Sequence, residues 1–289
     1  MAADADTTKL WMGRLGRLAV PSLALVAGGS LGTYVRNRVQ TAHLFNPERY
    51  PIGFWNPEAH GLDVEDIWFG AEDGTRLHGW WMPAPAAYGT VLYCHGNNGN
   101  VTSRIGVFLE LRRLGVSVFA FDYRGYGRSE GAPFEEGLYR DVRAAWDHLV
   151  VERGERPASI LLFGHSLGGA VAVDGALHRE VAGLVVQSSF TQVRDMARTL
   201  YPGVPLHFVA RNQFRSIDKV GRLAMPKLFI HGSADPTVPS SLGLLLHDRA
   251  AAPKEWYEVE GAGHSELHRH GGARYNARLE RFARSCLTS

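Results

Sequence analysis

Cysteine is nearly absent from this chain of 289 residues, which contains only Cys94 and Cys286. Two cysteines cannot form the set of disulfides that holds small secreted domains together. Cys94 ends an apolar stretch, and such a cysteine is usually a small buried core residue rather than a reactive thiol. We therefore expect no disulfide and no zinc site.

Lysine is also rare, and neither sign of charge is in large excess. Only four of the 31 basic residues are lysines, the arginines are scattered, and 29 acidic residues leave a formal net charge of +2. Proteins that bind nucleic acid usually concentrate basic residues on one face, so we expect no nucleic-acid partner. The apolar content of 45% and the charged content of 21% are typical of a globular protein.

Long apolar runs are missing except in the N-terminal segment, residues 1–38. No residue from Leu18 to Val35 is charged. As a helix this run would be about 27 Å long, which is near the lower limit for crossing a bilayer. Pro21 and the small residues around position 30 weaken the prediction of a membrane span.

Three interpretations of residues 18–35 remain open: a membrane anchor, a secretory signal peptide, or a helix packed on the protein's own surface. The polar stretch before the run is long for a signal peptide, and no small-residue cleavage site is evident. Of these we favour membrane association through residues 18–35, with a cytoplasmic or secreted protein as the alternative. Basic residues on both sides leave the orientation undecided.

Proline dipeptides mark the next stretch of chain. Asn46-Pro47, Tyr50-Pro51 and Asn56-Pro57 each predict a turn. We interpret residues 39–60 as a linker that ends before the main domain, residues 61–289.

Segments of strand and helix character alternate along the main domain. A hairpin turned at Asp73-Gly74 opens it, and helices with one apolar stripe follow. This alternation predicts an α/β fold with a mostly parallel, eight-stranded sheet flanked by helices. The predicted strands are 64–69, 77–82, 90–94, 116–121, 160–163, 182–186, 227–230 and 256–259, and the longer predicted helices are 102–114, 135–151 and 274–287.

Residues 188–225 interrupt this alternation, because a long segment replaces a single crossover helix. The stretch from Tyr201 to Phe208 is apolar and contains two prolines. It predicts a small lid over the site, with Tyr201, Leu206 and Phe208 as candidate substrate contacts. The alternative is a packed crossover with no role in substrate binding.

One serine carries the strongest catalytic signal. The pattern G-x-S-x-G places a serine at a sharp turn between a strand and a helix, and it occurs around Ser30, Ser129 and Ser166. No strand precedes Ser30, and Pro133 prevents a helix soon after Ser129. Only Ser166 has an apolar strand before it and a helix-forming run after it. We predict that Ser166 is a nucleophile; the alternative is an ordinary tight turn.

A serine nucleophile needs a base that takes its proton and a third group that orients the base. Asp235 and His264 stand on loops after the last two predicted strands, and the order Ser, Asp, His is that of α/β-hydrolases rather than of trypsin-like or subtilisin-like proteases. For Asp122 we expect pairing with Arg124 or a loop-shaping role. We expect His165 to be a neighbour of Ser166 rather than the base, because its position in the strained turn points it away from Ser166.

Acyl transfer needs hydrogen-bond donors for the developing oxyanion, and the candidates are the backbone N–H groups of Leu167 and Asn97.

Two further histidines raise the question of a metal site. His268 and His270 follow His264 closely, but no carboxylate or cysteine stands at a spacing that would complete a set of ligands. We therefore expect no metal.

Five motifs follow one another along the chain: His95-Gly96-Asn97-Asn98-Gly99-Asn100, Phe121-Asp122-Tyr123-Arg124-Gly125-Tyr126-Gly127-Arg128-Ser129, Gly164-His165-Ser166-Leu167-Gly168-Gly169, His231-Gly232-Ser233-Ala234-Asp235 and Gly263-His264. Together they resemble the motifs of the α/β-hydrolase superfamily, and more narrowly those of the Bem46-like group related to the serine aminopeptidase S33 (monoglyceride-lipase-like) hydrolases.

The resemblance implies an α/β-hydrolase fold, a triad of Ser166, His264 and Asp235, and an oxyanion hole at Asn97 and Leu167. Members of this group often begin with one membrane segment, and related eukaryotic members act on lysolipids or on fatty acyl groups of proteins. Residues 95–100 form the loop that would carry Asn97, and Asn98 stands where the usual family sequence His-Gly-Asn-Ala-Gly-Asn has an alanine. This substitution should leave the backbone donors in place. The peptidase label of the family is an analogy at the level of the fold.

These observations predict a serine hydrolase that cleaves carboxylic esters, with a small-molecule ester or acyl-lipid substrate and no cofactor. Two alternatives remain: an amide or peptide hydrolase on the same triad, and a non-catalytic binding protein with this fold. A negatively charged pocket would favour an aminopeptidase. An apolar pocket under residues 201–208 would favour the ester or lipid substrate.

Overall fold

The computed structural model describes residues 44–200 and 212–288. The N-terminal segment with its apolar run 18–35 and the candidate contacts Tyr201, Leu206 and Phe208 therefore lie outside the described residues. Within the described ranges no helix is both long enough and apolar enough to cross a bilayer.

Eight strands form one central sheet. They are β1 Glu65–Gly70, β2 Arg76–Met82, β3 Thr90–Cys94, β4 Ser117–Asp122, β5 Ile160–His165, β6 Gly183–Gln187, β7 Lys227–Gly232 and β8 Lys254–Val259. Their order in the sheet is β8-β7-β6-β5-β3-β4-β2-β1, and neighbours pair in parallel except at β2, which runs antiparallel to β1 and β4. The predicted mostly parallel eight-stranded sheet is confirmed.

Helices cover both faces of this sheet, and successive side chains of the central strands point into two apolar cores. Leu92 of β3 packs in the core on one face, while Val91 and Tyr93 pack in the core on the other. Parallel strands that are buried on both faces need apolar residues at nearly every position. The helices are α1 Ile105–Arg113, α2 Glu135–Asp147, α3 Leu167–His178, α4 Val193–Leu200, α5 Ser240–Arg249 and α6 Leu267–Leu287.

The described parts of the 188–225 segment are its two ends. Helix α4 begins at Val193, whose N–H donates to the carbonyl of Gln213 at 2.8 Å. Glu135, at the start of α2, accepts from the N–H groups of Gln213 and Phe214 at 2.6 and 2.9 Å. The segment therefore leaves and re-enters the domain at one place.

The prediction of a linker over residues 39–60 is wrong for its described part, because residues 44–60 belong to the same compact unit as the sheet. Phe45 is only 2% exposed, and Asn46–Pro47 pairs in parallel with Asn98–Gly99. We call residues 44–54 the N-terminal strap. The prolines do mark turns, but the hydrogen-bond partners that hold this segment lie 48 to 82 residues further along the chain, so local composition does not reveal them.

Candidate active site

Ser166 stands at the turn between β5 and α3 with φ 56° and ψ −119°. A non-glycine residue adopts this strained backbone only where its surroundings hold it there. The Ser166 N–H donates to the carbonyl of Gln187 at 2.8 Å, and the Ser189 hydroxyl donates to the Ser166 carbonyl at 2.9 Å. These contacts with β6 and the residues after it fix the turn.

Two glycines allow the strand and the helix to pass this close together. A Cβ on Gly164 would lie 2.3 Å from the carbonyl oxygen of Gly168, and a Cβ on Gly168 would lie 2.0 Å from that of Cys94. Both contacts involve backbone atoms, which cannot move aside as a flexible side chain would. The spacing of the motif around Ser166 is therefore a packing requirement.

The structure brings Ser166, Asp235 and His264 together at the carboxyl ends of β5, β7 and β8. His264 Nδ1 lies 2.7 Å from Asp235 Oδ2, and His264 Nε2 lies 3.0 Å from Ser166 Oγ. An ionised carboxylate only accepts hydrogen bonds, so Nδ1 carries the proton and Nε2 is left to accept from the serine hydroxyl. In this arrangement the histidine can act as a base toward the serine.

Asp235 is buried and held from several sides. Its Oδ1 accepts from the N–H groups of Thr237 and Val238 at 2.8 and 2.9 Å, and His231 Nε2 lies 3.3 Å from Oδ2. Burial acts to raise the pKa of Asp235, but hydrogen bonds from His231, His264 and the backbone outweigh it, so the pKa lies well below its ordinary value. The group that orients His264 is therefore an anion at neutral pH.

His165 lies in the tight turn of residues 164–168, which we call the elbow, and it contacts the backbone of the loop that carries His264 rather than Ser166. Its Nε2–H donates to the carbonyl of His264 at 3.1 Å, and the two rings lie 5.1 Å apart between centroids. Burial first, and then the neighbouring His264, hold the pKa of His165 well below its ordinary value. We therefore interpret His165 as a neutral side chain that links the elbow to the loop of His264.

The loop after β3 passes directly beside the elbow. A Cβ on Gly96 would lie 3.5 Å from Ser166 Cβ. His95 Nδ1 donates to the Gly96 carbonyl at 2.7 Å, and in a trans peptide the N–H of Asn97 then points the opposite way. Within the described residues, neither this N–H nor that of Leu167 donates to another group of the chain. Both candidate donors are thus available.

Two tyrosines hold this loop, a role that the motif containing them did not predict. The Tyr123 hydroxyl donates to the His95 carbonyl and the Tyr126 hydroxyl to the Asn97 carbonyl, both at 2.9 Å. Their spacing on the loop after β4, which passes next to β3, was the available signal. The motif that contains His231 likewise gave no indication that its side chain contacts Asp235.

Of the two roles expected for Asp122, loop shaping is the one that fits its contacts. Asp122 Oδ1 accepts from the N–H of Val101 at 2.8 Å. The guanidinium of Arg124 instead bonds the carboxylates of Asp141 and Asp73. In the part of the chain that the structure describes, no group of three His, Cys, Asp or Glu side chains could hold a metal ion.

The order of the strands, the strained serine between β5 and α3, and the aspartate and histidine after β7 and β8 define the class of α/β hydrolases. A family model described as serine aminopeptidase, S33, matches residues 85–213. The uncharacterized protein Rv2307c of Mycobacterium tuberculosis is 39% identical over 86% of this chain and 89% of its own length.

Human alpha/beta hydrolase domain-containing protein 17B is 34% identical over 69% of this chain and 67% of its own length. The chain therefore belongs to the α/β-hydrolase superfamily, as the motifs predicted. Among solved structures, the esterase Pf2001 of Pyrococcus furiosus superposes with a TM-score of 0.70 over 84% of this chain and 99% of its own, at 23% identity. At that identity the likeness shows the fold.

Proposed function

We propose that this protein is a serine hydrolase that cleaves carboxylic esters through an acyl-enzyme. The observation that supports the proposal is the pair of contacts made by His264, 2.7 Å to Asp235 and 3.0 Å to Ser166. A serine hydroxyl is a weak nucleophile at neutral pH, and this arrangement supplies both the base and the group that orients it.

In this mechanism Ser166 Oγ attacks the ester carbonyl while His264 Nε2 takes its proton. The N–H groups of Leu167 and Asn97 stabilise the oxyanion of the tetrahedral intermediate. His264 then gives the proton to the leaving alcohol, and the acyl group remains on Ser166. Water then attacks the acyl carbon while His264 takes its proton. The bond between the acyl carbon and Ser166 Oγ breaks, His264 returns the proton to Ser166, and the acid is released. Asp235 keeps His264 in the required tautomer and stabilises the imidazolium.

An ester with an apolar acyl chain is the substrate class that we propose. It is supported by the apolar composition of residues 201–208 and by the similarity of the fold to that of the Pyrococcus furiosus esterase. Association with a membrane through residues 18–35 remains a proposal that would bring such an enzyme to acyl lipids.

The test is labelling with a fluorophosphonate, which reacts with an activated serine, together with hydrolysis of p-nitrophenyl esters from acetate to palmitate. We expect wild type to be labelled and to hydrolyse esters, and Ser166→Ala to lose both. Ser129→Ala is the matched control, because Ser129 lies in a second G-x-S-x-G sequence but its hydroxyl donates to the Asp122 carbonyl.

The outcomes separate the alternatives. Faster hydrolysis of p-nitroanilides than of the matching esters would favour an amide hydrolase. A correctly folded wild type that is neither labelled nor active would overturn the proposed function and favour a binding protein with this fold.

A further inference from the structure

The N-terminal strap and the loop that carries Asn97 are joined by a continuous series of hydrogen bonds. The Asn46 N–H donates to the Asn97 carbonyl, and the Glu48 N–H donates to the Gly99 carbonyl, each at 3.0 Å. These bonds make the strap a short parallel neighbour of the loop. The strap precedes residues 85–213, the part that the family model matches.

Asn100 is the side chain that fastens the strap. It is completely buried, and its Nδ2 donates to the carbonyls of Glu48 and Ile52 at 3.1 and 2.8 Å. Its Oδ1 accepts from the N–H of Thr102 at 3.0 Å. The two N–H bonds of the amide donate to the strap, while its oxygen accepts from the chain that follows.

Gly53 lets the strap lie directly on this fastening. The Phe54 N–H donates to Thr102 Oγ1 at 3.0 Å. A Cβ on Gly53 would lie 2.3 Å from that oxygen, and Gly53 has φ +113°, a conformation that side chains rarely adopt. Any residue larger than glycine would lift the strap from the loop.

The strap also holds Asn97 itself. The Asn97 carbonyl accepts from the Asn46 N–H and from the Tyr126 hydroxyl, and Asn97 Nδ2 donates to the Leu44 carbonyl at 3.2 Å. Two of these three bonds come from the strap. On the other side of the residue, His95 holds the preceding carbonyl. The backbone of Asn97 is thereby fixed on both sides, which leaves its N–H free to donate to a ligand.

We propose that the N-terminal strap positions the oxyanion hole by holding Asn97 in the orientation in which its N–H donates to the tetrahedral intermediate. The inference rests on the proposed function, because it assigns a role within that reaction. Among the described residues the strap forms no hydrogen bond with Ser166, His264 or Asp235, and it acts on the site through Asn97, so its residues are positioning residues. Catalysis by such donors depends on their being held in place before the reaction, so a loosened strap lowers the rate although Ser166, His264 and Asp235 are intact.

The experiment compares wild type with Asn100→Asp and Gly53→Ala. The aspartate keeps the size of Asn100 and its acceptor for Thr102 but loses both donors to the strap. Asn98→Asp is the matched control, because it introduces the same charge in the same loop at an exposed position. We expect kcat to fall by about ten- to a hundredfold in both strap variants, with KM changed less than about twofold and Asn98→Asp close to wild type.

Two readouts separate positioning from a general loss of structure. The first is affinity for an alkyl trifluoromethyl ketone, to which Ser166 Oγ adds while its proton passes to His264, so that a hemiketal oxyanion occupies the hole. We expect this affinity to fall in parallel with kcat/KM. The second is the acidic limb of the pH profile of kcat/KM, which reports the base, and we expect the strap variants to leave it in place.

If Asn100→Asp does not fold, Asn46→Pro provides the same test, because it deletes the N–H that holds the Asn97 carbonyl, with Asn46→Ala as its control. Unchanged kcat in folded strap variants of an active enzyme overturns the inference alone. So does a fall in kcat without a fall in affinity for the ketone. A wild type with no hydrolytic activity overturns the proposed function, and the strap inference with it.

Discussion

The elbow around Ser166 and the loop that carries Asn97, the candidate oxyanion loop, lie side by side at the carboxyl ends of the strands, but they depend on the sequence in different ways. The elbow is specified by a few consecutive residues, above all Gly164 and Gly168, whose missing side chains admit nearby backbone, and hydrogen bonds with Gln187 and Ser189 add to this local specification. The oxyanion loop owes its shape to distant segments: the strap before the sheet and two tyrosines after β4. The comparison teaches that one half of a site can be local in sequence while the other half is assembled only by the fold.

The largest effect is expected from a change at Asp235, because this side chain holds the proton on His264 Nδ1. Asp235→Asn leaves an amide beside His264, which no longer favours the tautomer with a proton on Nδ1. By analogy with other triads we expect kcat to fall by about 10⁴-fold, measured with a p-nitrophenyl ester.

His231→Asn is the control for this change, because it removes a neighbour of Asp235 but leaves the pair with His264. We expect it to retain most of the activity. Wild-type activity in Asp235→Asn would contradict the assignment of Asp235 as the orienting group.

A substitution in the elbow is expected to act on the whole fold. In Gly168→Ala the new Cβ would lie 2.0 Å from the Cys94 carbonyl and 2.5 Å from the His95 carbonyl, so α3 must move away from β3. We expect the free energy of unfolding to fall by about 3 kcal/mol, measured by urea denaturation. Gly70→Ala is the control, because no atom lies within 4 Å of its Cβ. Equal stability of the two variants would mean that the elbow is not tightly packed.

The same difference explains how far the sequence could be interpreted. The central strands and the serine were predictable because their signals are local: runs of apolar residues, turn-forming glycines and a helix-forming run after Ser166. The start of α6 was predicted at residue 274 but lies at Leu267, because the chain kinks at Gly272 and a helical turn precedes the kink. Nothing in the local sequence of residues 39–60 indicates that Asn100 bonds the carbonyls of Glu48 and Ile52, so the prolines of this stretch predict a linker.

A smaller effect is expected from His165, which joins the elbow to the loop of His264. Because its pKa is lowered in the folded protein, the unfolded chain takes up this proton at a higher pH than the folded chain does. Stability is then lost as the pH falls below about 6.5, by at most about 1.4 kcal/mol per pH unit.

In His165→Gln this loss is absent, while the amide can still donate to the His264 carbonyl. We expect urea unfolding between about pH 7.5 and pH 5 to show a shallower decline for the variant than for wild type. Equal slopes would mean that folding does not lower the pKa of His165.

The smallest effect is expected from Tyr126→Phe, which removes one of the two donors to the Asn97 carbonyl and leaves the Asn46 N–H in place. A single buried hydrogen bond of this kind contributes about 1 kcal/mol, so we expect kcat to fall by about fivefold. Tyr123→Phe is the matched control, because its hydroxyl holds the His95 carbonyl, one peptide further from the Asn97 N–H. Combining Tyr126→Phe with Asn100→Asp should lower kcat by more than the product of the two single effects, because Asn97 then loses support from both sides. Effects that simply multiply would show that the tyrosine and the strap act on different groups.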